Sequence, residues 1–278
     1  MAYPGGKGGA GVYQTIINLM PPHNVYIEPF LGAGAIMLNK RPATSSIGID
    51  SDDDVLKLWK GDEVQNLTIL HTDGIEFLSA RQWKGDELVY CDPPYLTDTR
   101  SSKRAYYNHE MTDDDHRKLL TVIKRIPAAI VISGYESQLY TDMLAGWRTT
   151  TFSAVTRSGS VATEWVWCNF PPPMQLHDYD HLGKTFRERE RIKRKKQRWS
   201  SRLQRMPELE RHALLSALRE LEFRAPPAKL TIGAPTMRDH IAINDEPRGT
   251  SVSTMTPGVR NDVSDVTTGK ADDGRAHR

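Results

Sequence analysis

The sequence predicts an α/β protein built on a mostly parallel seven-stranded sheet that is closed by a C-terminal antiparallel strand pair. Three observations carry that expectation. Short apolar runs of strand length alternate with segments of helical period through residue 145, the pattern of parallel strands joined by crossover helices. Four of those runs lead into ligand-type residues: one into a Gly-x-Gly turn, and three into the aspartates Asp50, Asp73 and Asp92. In an open α/β sheet, ligands bind beyond the carboxyl ends of the strands, so these four ends converge on one edge. Finally, Trp147–Val155 and Thr163–Phe170 read as strands joined by the polar turn Arg157-Ser158-Gly159-Ser160, the mark of an antiparallel pair.

Taken in order, residues 3–11 (Tyr-Pro-Gly-Gly-Lys-Gly-Gly-Ala-Gly) form a glycine-rich loop. It is not a Walker A loop, because Lys7 is followed by Gly8. Val12–Met20 has apolar residues at helical spacing and stops at Pro21-Pro22. Val25–Ile27 is a strand that runs into Glu28-Pro29-Phe30-Leu31-Gly32-Ala33-Gly34, with a helix over Ala35–Asn39. Position 37 is Met, so the third glycine of a dinucleotide fingerprint is missing. That argues for a nucleotide-like ligand with no pyrophosphate to cradle. Ser46–Ile49 ends at Asp50, 18 residues after Gly32, the spacing of a carboxylate that holds ribose hydroxyls. Helix capping is the competing reading of Asp50, beside the acidic run Asp52-Asp53-Asp54. Leu67–Leu70 is the third strand; Asp73 follows it and a helix begins at Gly74.

Leu88–Cys91 reads as a buried strand that ends in Asp92-Pro93-Pro94-Tyr95. Two prolines have fixed φ and no N–H, and the residue before a proline is pushed to extended conformations. The result is a stiff elbow with free carbonyls, a carboxylate at one end and an aromatic face at the other. Acceptors beside a stacking plate suit a planar molecule that carries an –NH2 group; a strand-ending turn is the plainer alternative. Residues 96–111 follow as a polar loop at the site mouth, with Arg100, Lys103, Arg104 and Tyr106. Thr112 caps a helix that has Asp113-Asp114-Asp115 in its first turn and ends near Ile126. Ala128–Ser133 is the fifth strand and Ser137–Ala145 a helix, and Pro171-Pro172-Pro173 closes the globular part.

The chain has 278 residues and a net charge of +2, but the charge is unevenly spread. Residues 1–182 carry 16 Lys/Arg against 22 Asp/Glu, and residues 183–224 carry 14 against 6. A slightly acidic body with one concentrated basic segment points to a polyanion at that segment. The segment reads as two helices: Lys184–Arg205 with 11 Lys/Arg, then a helix opened by Pro207 with Leu209, Ala213, Leu214, Leu218 and Leu221 on a face expected to pack. From residue 225 on, Pro, Thr, Gly, Asp and Ser dominate, and 225–278 reads as disordered. The expected organisation is therefore a catalytic domain over 1–182, a basic helical segment over 183–224 and a tail. No run approaches the ~20 apolar residues of a membrane helix, and the N-terminus lacks a signal-peptide core. Cys91 and Cys168 lie in apolar runs as buried small hydrophobes, which suits a cytoplasmic location and no metal site.

Taken together, Gly-Gly-Lys at 5–7, Glu-Pro-Phe-Leu-Gly-Ala-Gly at 28–34, Asp-Pro-Pro-Tyr at 92–95 and Thr-Glu-Trp-Val-Trp-Cys-Asn-Phe at 163–170 resemble the DNA N6-adenine methyltransferases of the Dam type. The resemblance covers residues 1–172. It implies a Rossmann-like methyltransferase fold and methyl transfer from S-adenosylmethionine to N6 of an extruded adenine, with no metal. It also implies that Tyr3, Gly6 and Lys7 bound the cofactor pocket with Phe30, Gly32 and Gly34. Asp50 would hold the cofactor ribose and Asp73 its adenine amino group. Asp92 and the carbonyl of Pro93 would accept the target N–H groups, and Tyr95 would stack on the base. In site-specific members of that family a target-recognition insert precedes the Asp-Pro-Pro-Tyr element. Here only 18 residues separate Asp73 from Asp92, so low sequence specificity is expected. Affinity would come from phosphate contacts by the basic helix, Lys193, Arg194, Lys195 and Lys196 among them.

Other readings compete. One is a sequence-specific adenine methyltransferase of a restriction-modification or phage system. Another is methylation of RNA, or of protein glutamine, although those families usually begin the tetrapeptide with Asn. A third is a catalytically idle DNA-binding protein, against which the intact Lys7, Asp92 and Gly-x-Gly argue. A dinucleotide oxidoreductase is weakened by Met37.

Overall fold

A computed structural model describes residues 6–99, 109–155 and 159–224, all within the first of two compact units of the chain, Met1–Thr236. Tyr3, Arg100, Lys103, Arg104, Tyr106, the turn residues 157–158 and the segment 225–278 lie outside the described residues.

The strands are β1 (Val25–Glu28), β2 (Ser45–Asp50), β3 (Leu67–His71), β4 (Glu87–Cys91), β5 (Ala129–Gly134), β6 (Arg148–Val155) and β7 (Val161–Cys168). They form one seven-stranded sheet in the order β3-β2-β1-β4-β5-β7-β6. The first five pair in parallel, while β7 runs antiparallel to both β5 and β6. This is the α/β sheet with a C-terminal antiparallel pair that the residue pattern predicts. Every residue of β4 and β5 is buried, as expected of central parallel strands covered on both faces. Their side chains alternate between two cores. Leu88, Tyr90 and Val131 face the helices α1 (Val12–Ile17) and α2 (Ala35–Asn39), with Ile16, Ile17, Ile36 and Met37. Val89, Cys91, Ile130 and Ile132 face Leu78 of α4 (Gly74–Ala80) and Leu119, Leu120 and Ile123 of α5 (Asp113–Ile123). Each such Leu, Ile or Val contributes about 1.5–3 kcal/mol by leaving water.

Local chemistry sets the helix ends. The short α3 (Asp53–Leu56) is capped by Asp52 and α4 by Asp73. Thr112 and Asp115 cap α5 reciprocally, and Ser137 caps α6 (Gln138–Met143). Helix α1 stops at Ile17, three residues short of the expected Met20. The amides of Leu19 and Met20 turn back to the carbonyls of Ile16 and Ile17, tightening the chain ahead of Pro21-Pro22. Helix α5 likewise ends early, with tight turns through Arg125 before Pro127.

The globular part continues past Pro173, beyond the expected closure. Residues 174–183 form a strap across the amino edge of the sheet. His177 donates its backbone N–H to Met20 O (3.0 Å) and pairs through Nε2 with Arg41 O (3.1 Å). Asp178 accepts from Arg41 N (2.9 Å), and Asn18 Nδ2 donates to His181 O (2.6 Å). The rings of His23 and His177 stack with centroids 3.8 Å apart. Met20 and Arg41 lie just ahead of β1 and β2, so the strap is fastened at the edge opposite the strand ends that carry Asp50 and Asp92.

Two helices follow the strap, α7 (Phe186–Gln204) and α8 (Glu208–Arg224). Helix α7 buries no residue, and Lys196 ties it to Asp180 of the strap. The expectation that one face of α8 packs is not met: Leu209, Leu214, Leu215, Leu218 and Leu221 are all exposed. Helical spacing of leucines sets an apolar face but not its cover, and among the described residues none is supplied. No helix among the described residues is long and apolar enough to cross a membrane.

Candidate active site

Strand order reverses between β1 and β4, which are neighbours although the chain between them builds β2 and β3 on the far side. At such a switch point the loops leave the two strand ends in opposite directions and open a crevice. The residues at these two ends are Glu28-Pro29-Phe30 and Asp92-Pro93-Pro94-Tyr95.

Asp92 is held through one oxygen. Lys7 Nζ lies 2.9 Å from its Oδ1, and Ser133 Oγ donates to the same atom at 2.8 Å. The Ser133 hydroxyl has a single proton, so Tyr90 OH, 3.0 Å from Ser133 Oγ, is the donor there. A relay thus runs from Tyr90 through Ser133 to Asp92 Oδ1, and no hydrogen bond reaches Oδ2 among the described residues. Lys7 is 5% exposed and also faces Glu164, whose Oε2 is 3.6 Å from Nζ. Tyr95 OH donates to that same Oε2 at 2.7 Å. The ammonium of Lys7 sits 4.8 Å from the centroid of the Tyr95 ring, and Tyr135 meets that ring edge-on at 4.8 Å. Two carboxylates therefore share one buried ammonium. Burial works to lower the Lys7 pKa, but the charges of Asp92 and Glu164 outweigh it and leave it raised. Burial, reinforced by Asp92 and Glu164, pushes the Tyr95 phenol well above its usual range, so it keeps the proton it donates to Glu164.

Below the crevice, Glu28 is 2% exposed and accepts from Tyr26 OH at 2.6 Å. Burial pushes its carboxyl up to about 8, against the opposing effect of the Tyr26 bond. The glycine turn beside it is braced internally. Gly32 N donates to Asp50 Oδ2 (2.9 Å), Gly34 N to Leu31 O (2.8 Å), and Trp59 Nε1 to Gly32 O (3.1 Å). Gly34 has φ +57, and a side chain there would meet the Trp59 ring at 2.2 Å. Two amides of the turn are thus spent within the protein and not offered to an anion. Asp50 also accepts from Asp52 N (3.0 Å); burial raises its pKa against these two N–H groups. It is not a helix cap, since Asp52 takes that role. Asp73 is exposed and accepts from Ile75 N and Glu76 N through Oδ1 alone, both at 2.8 Å.

Lys7, Asp92, Pro93 and Tyr95 thus come together, with Phe30, Gly32, Gly34 and Asp50 along the same edge and Asp73 at the neighbouring strand end. Gly6 is exposed beside Lys7. Lys193, Arg194, Lys195 and Lys196 lie on α7, which the strap fastens at the other edge. Four contributors went unread in the sequence. Ser133 and Tyr135 sit at the end of β5, where the strand-end rule that flags Asp92 also applies. Trp59 carries no local signal. Glu164 lies midway along β7, one residue ahead of the stretch paired with β5, and an antiparallel strand enters that pairing at the edge where parallel strands present their ends. Among the described residues, no cluster of His, Cys, Asp and Glu could hold a metal ion.

Residues 58–158 match the family model for D12 class N6 adenine-specific DNA methyltransferases. That stretch holds Asp73, Asp92–Tyr95, Ser133 and Tyr135 but neither Lys7 nor Glu164. No curated protein matches the chain. Among solved structures, a Streptococcus thermophilus rRNA methylase is similar at 11% identity, covering 58% of this chain and 95% of its own, with a TM-score of 0.37. A Streptococcus mutans protein, assigned as a methyltransferase and solved in complex with SAH, is similar at 8% identity over 56% and 94%, with a TM-score of 0.39. A precorrin 8w decarboxylase from Methanobacterium thermoautotrophicum is similar at 11% identity over 56% and 87%, with a TM-score of 0.37.

Proposed function

We propose that this chain transfers a methyl group from S-adenosylmethionine to N6 of adenine in DNA, with low sequence specificity. One observation carries the reading: at the switch point, Asp92 is fixed through Oδ1 by Lys7 and Ser133 while Oδ2 is left to a ligand, next to the carbonyl of Pro93. The match of residues 58–158 to the N6 adenine-specific family supports the choice of target atom.

The groups along the edge fit the cofactor. A nucleoside needs carboxylates for its hydroxyls and amino group, and Asp50 and Asp73 stand at successive strand ends, Asp73 with Oδ2 outside its capping bonds. A pyrophosphate would need the amides of the glycine turn, which Asp50 and Leu31 occupy. Gly6, Lys7, Phe30, Gly32 and Gly34 would flank the same ligand. S-adenosylmethionine, when bound, supplies an electrophilic methyl group on a sulfonium.

The adenine amino nitrogen is a poor nucleophile, because its lone pair is delocalised into the ring. Asp92 Oδ2 and the Pro93 carbonyl would each accept one of its N–H groups and favour a pyramidal nitrogen with an available lone pair. Positive charge grows on that nitrogen, and the Asp92 carboxylate stabilises it through a preorganised contact. The surplus proton leaves through Asp92 Oδ2. Lys7 and Ser133 hold Oδ1 and so fix the plane of the carboxylate. The base must leave the duplex to reach the elbow, where Tyr95 would stack on it with the part of its ring that Lys7 and Tyr135 leave open. Residues 74–91 are taken up by α4, a short connection and β4, which leaves no room for a sequence-reading insert and supports low specificity.

Incubation with labelled cofactor and defined DNA and RNA oligonucleotides, followed by nucleoside analysis, tests the reading. Label in N6-methyladenine at scattered sites of DNA is the expected result. Label confined to RNA, or to one four- to six-base motif, would overturn the DNA or the specificity component respectively, and label on protein alone would overturn all of it.

A further inference from the structure

Helix α7 is sided. Arg187, Arg191, Arg194, Arg198, Arg202 and Arg205 recur at intervals of three or four residues and are all exposed, Arg205 being the helix's C-cap. At 3.6 residues per turn this spacing draws one outer row, about 27 Å long. The opposite side holds Arg189, Ile192, Lys196 and Leu203. Three of these are part-buried, Arg189 Nη1 donates to Gly183 O at 3.4 Å, and Lys196 pairs with Asp180. The helix therefore turns its lysines to the flanks and the strap, and an unbroken row of arginines outward. Guanidinium is the fork that matches phosphate, whereas a lysine is a point charge. Two arginines of the row have carboxylate neighbours only at long range, Arg191 with Glu188 (3.9 Å) and Arg194 with Glu190 (4.0 Å).

The position of the row matters as much as its charge. The strap fastens α7 at the amino edge of the sheet, next to Met20 and Arg41, while Asp92 stands at the carboxyl edge. The two edges are separated by the length of β4, roughly 17 Å at ~3.3 Å per residue. The contact that holds α7 is thus on the side of the sheet away from the elbow, where the row can meet phosphates other than that of the nucleotide at Asp92.

We propose that the outer arginine row of α7 is a tether for the phosphate backbone of a nucleic-acid polymer, engaging it away from the nucleotide bound at Asp92 and contributing affinity without touching the chemical step. The inference rests on the nucleic-acid reading of the site. An anionic membrane is the weaker fit, since a surface-lying helix needs an apolar face opposite its charges, and here that face carries Arg189 and Lys196 and is turned to the strap.

The test compares two double variants of the full chain with equal charge loss: Arg194→Ala/Arg198→Ala at the centre of the row and Lys193→Ala/Lys195→Ala on its flanks. Alanine keeps the helix, and circular dichroism checks it. Binding to a long mixed-sequence duplex is measured by anisotropy across a salt series, alongside methyl transfer to that duplex and to a short oligonucleotide. The row variant should flatten the slope of log affinity against log salt by about 1.8, at ~0.9 per lost phosphate contact. Its KM for the long duplex should rise at least tenfold, with kcat and the short-oligonucleotide KM unchanged, and the flank variant should do clearly less. Equal effects of the two variants, a fall in kcat, an equal loss on the short oligonucleotide, or binding to anionic vesicles and not to duplex would each overturn the tether. Methyl transfer without salt-dependent binding would remove the tether and leave the reaction, whereas binding without transfer to any nucleic acid would do the reverse.

Discussion

Lys7 Nζ lies 2.9 Å from Asp92 Oδ1, and this pair joins the glycine-rich N-terminal loop to the elbow of the fourth strand. Breaking a buried pair by removing one partner is costly, because the other charge is left without compensation. Lys7→Met leaves both Asp92 and Glu164 without their cation, and should destabilise the fold by about 3–5 kcal/mol in urea titrations. Lys7→Met/Asp92→Asn should be less destabilised than the sum of the two single variants, by about 0.5–3 kcal/mol. Strict additivity would show that the pair is not coupled.

Asp92→Asn is nearly isosteric and keeps an oxygen for Ser133, but it carries no charge. If the carboxylate stabilises a developing cation, kcat should fall by roughly 100- to 1,000-fold with the cofactor dissociation constant unchanged. Turnover within tenfold of the parent would remove Asp92 from the chemical step.

Glu164 holds Tyr95 through a 2.7 Å bond and shares Lys7. Glu164→Gln can still accept from Tyr95 and separates position from charge; Glu164→Ala loses both. A hydrogen bond to a charged group is worth about 1.5–3 kcal/mol. Glu164→Ala should therefore raise KM for the nucleic-acid substrate by roughly 10- to 100-fold, and Glu164→Gln should recover most of it. If the two variants behave alike, the charge on Lys7 and not the placement of Tyr95 is what Glu164 supplies.

The sheet is legible in the sequence because each parallel strand is an apolar run of four to six residues with its ligand-type residue at the end, where topology delivers it to one edge. That logic finds Asp50 and Asp92. It overlooks Glu164, which reaches the same edge from an antiparallel strand just ahead of its pairing with β5, and Trp59, which braces the glycine turn through the space above Gly34 and its bond to Gly32 O. The run Lys193–Lys196 shows a second limit. Consecutive residues on a helix point about 100° apart, so four neighbours in sequence face four directions: Arg194 lies within the outer row, Lys195 at its border, and Lys193 and Lys196 away from it. The leucines of α8 show a third: spacing fixes which side chains share a face, whereas the cover of that face is a matter of tertiary structure.

Glu28 sets one arm of the pH dependence. Its carboxyl is raised from 4.5 to about 8 in the fold, so between those values the native state holds a proton that the unfolded chain releases. The contribution of Glu28 to stability is full below pH 4.5 and is lost as pH rises through about 8. Glu28→Gln is neutral throughout and retains an acceptor for Tyr26. Urea midpoints followed from pH 5 to 8 should decline less steeply in this variant than in the parent, and parallel curves would show that Glu28 ionises normally.

The strap supplies the opposite arm. His177 is lowered from 6.5 to about 4 and His23 to about 2, chiefly because both rings are buried, with the Lys40 ammonium nearby adding to the effect. The unfolded chain takes up these protons first, so the contribution of the pair is full above pH 6.5 and is lost as pH falls through about 4. His177→Gln can still donate to Arg41 O but cannot titrate. Its urea midpoint should change less between pH 6.5 and 4 than that of the parent. Because Asp180 of the same strap holds Lys196, loosening the strap should also free α7: amide protection relative to the intrinsic exchange rate at each pH should fall together in residues 176–183 and 186–196 as the parent is acidified. Protection lost in α7 alone would show that the helix is not held by the histidine pair.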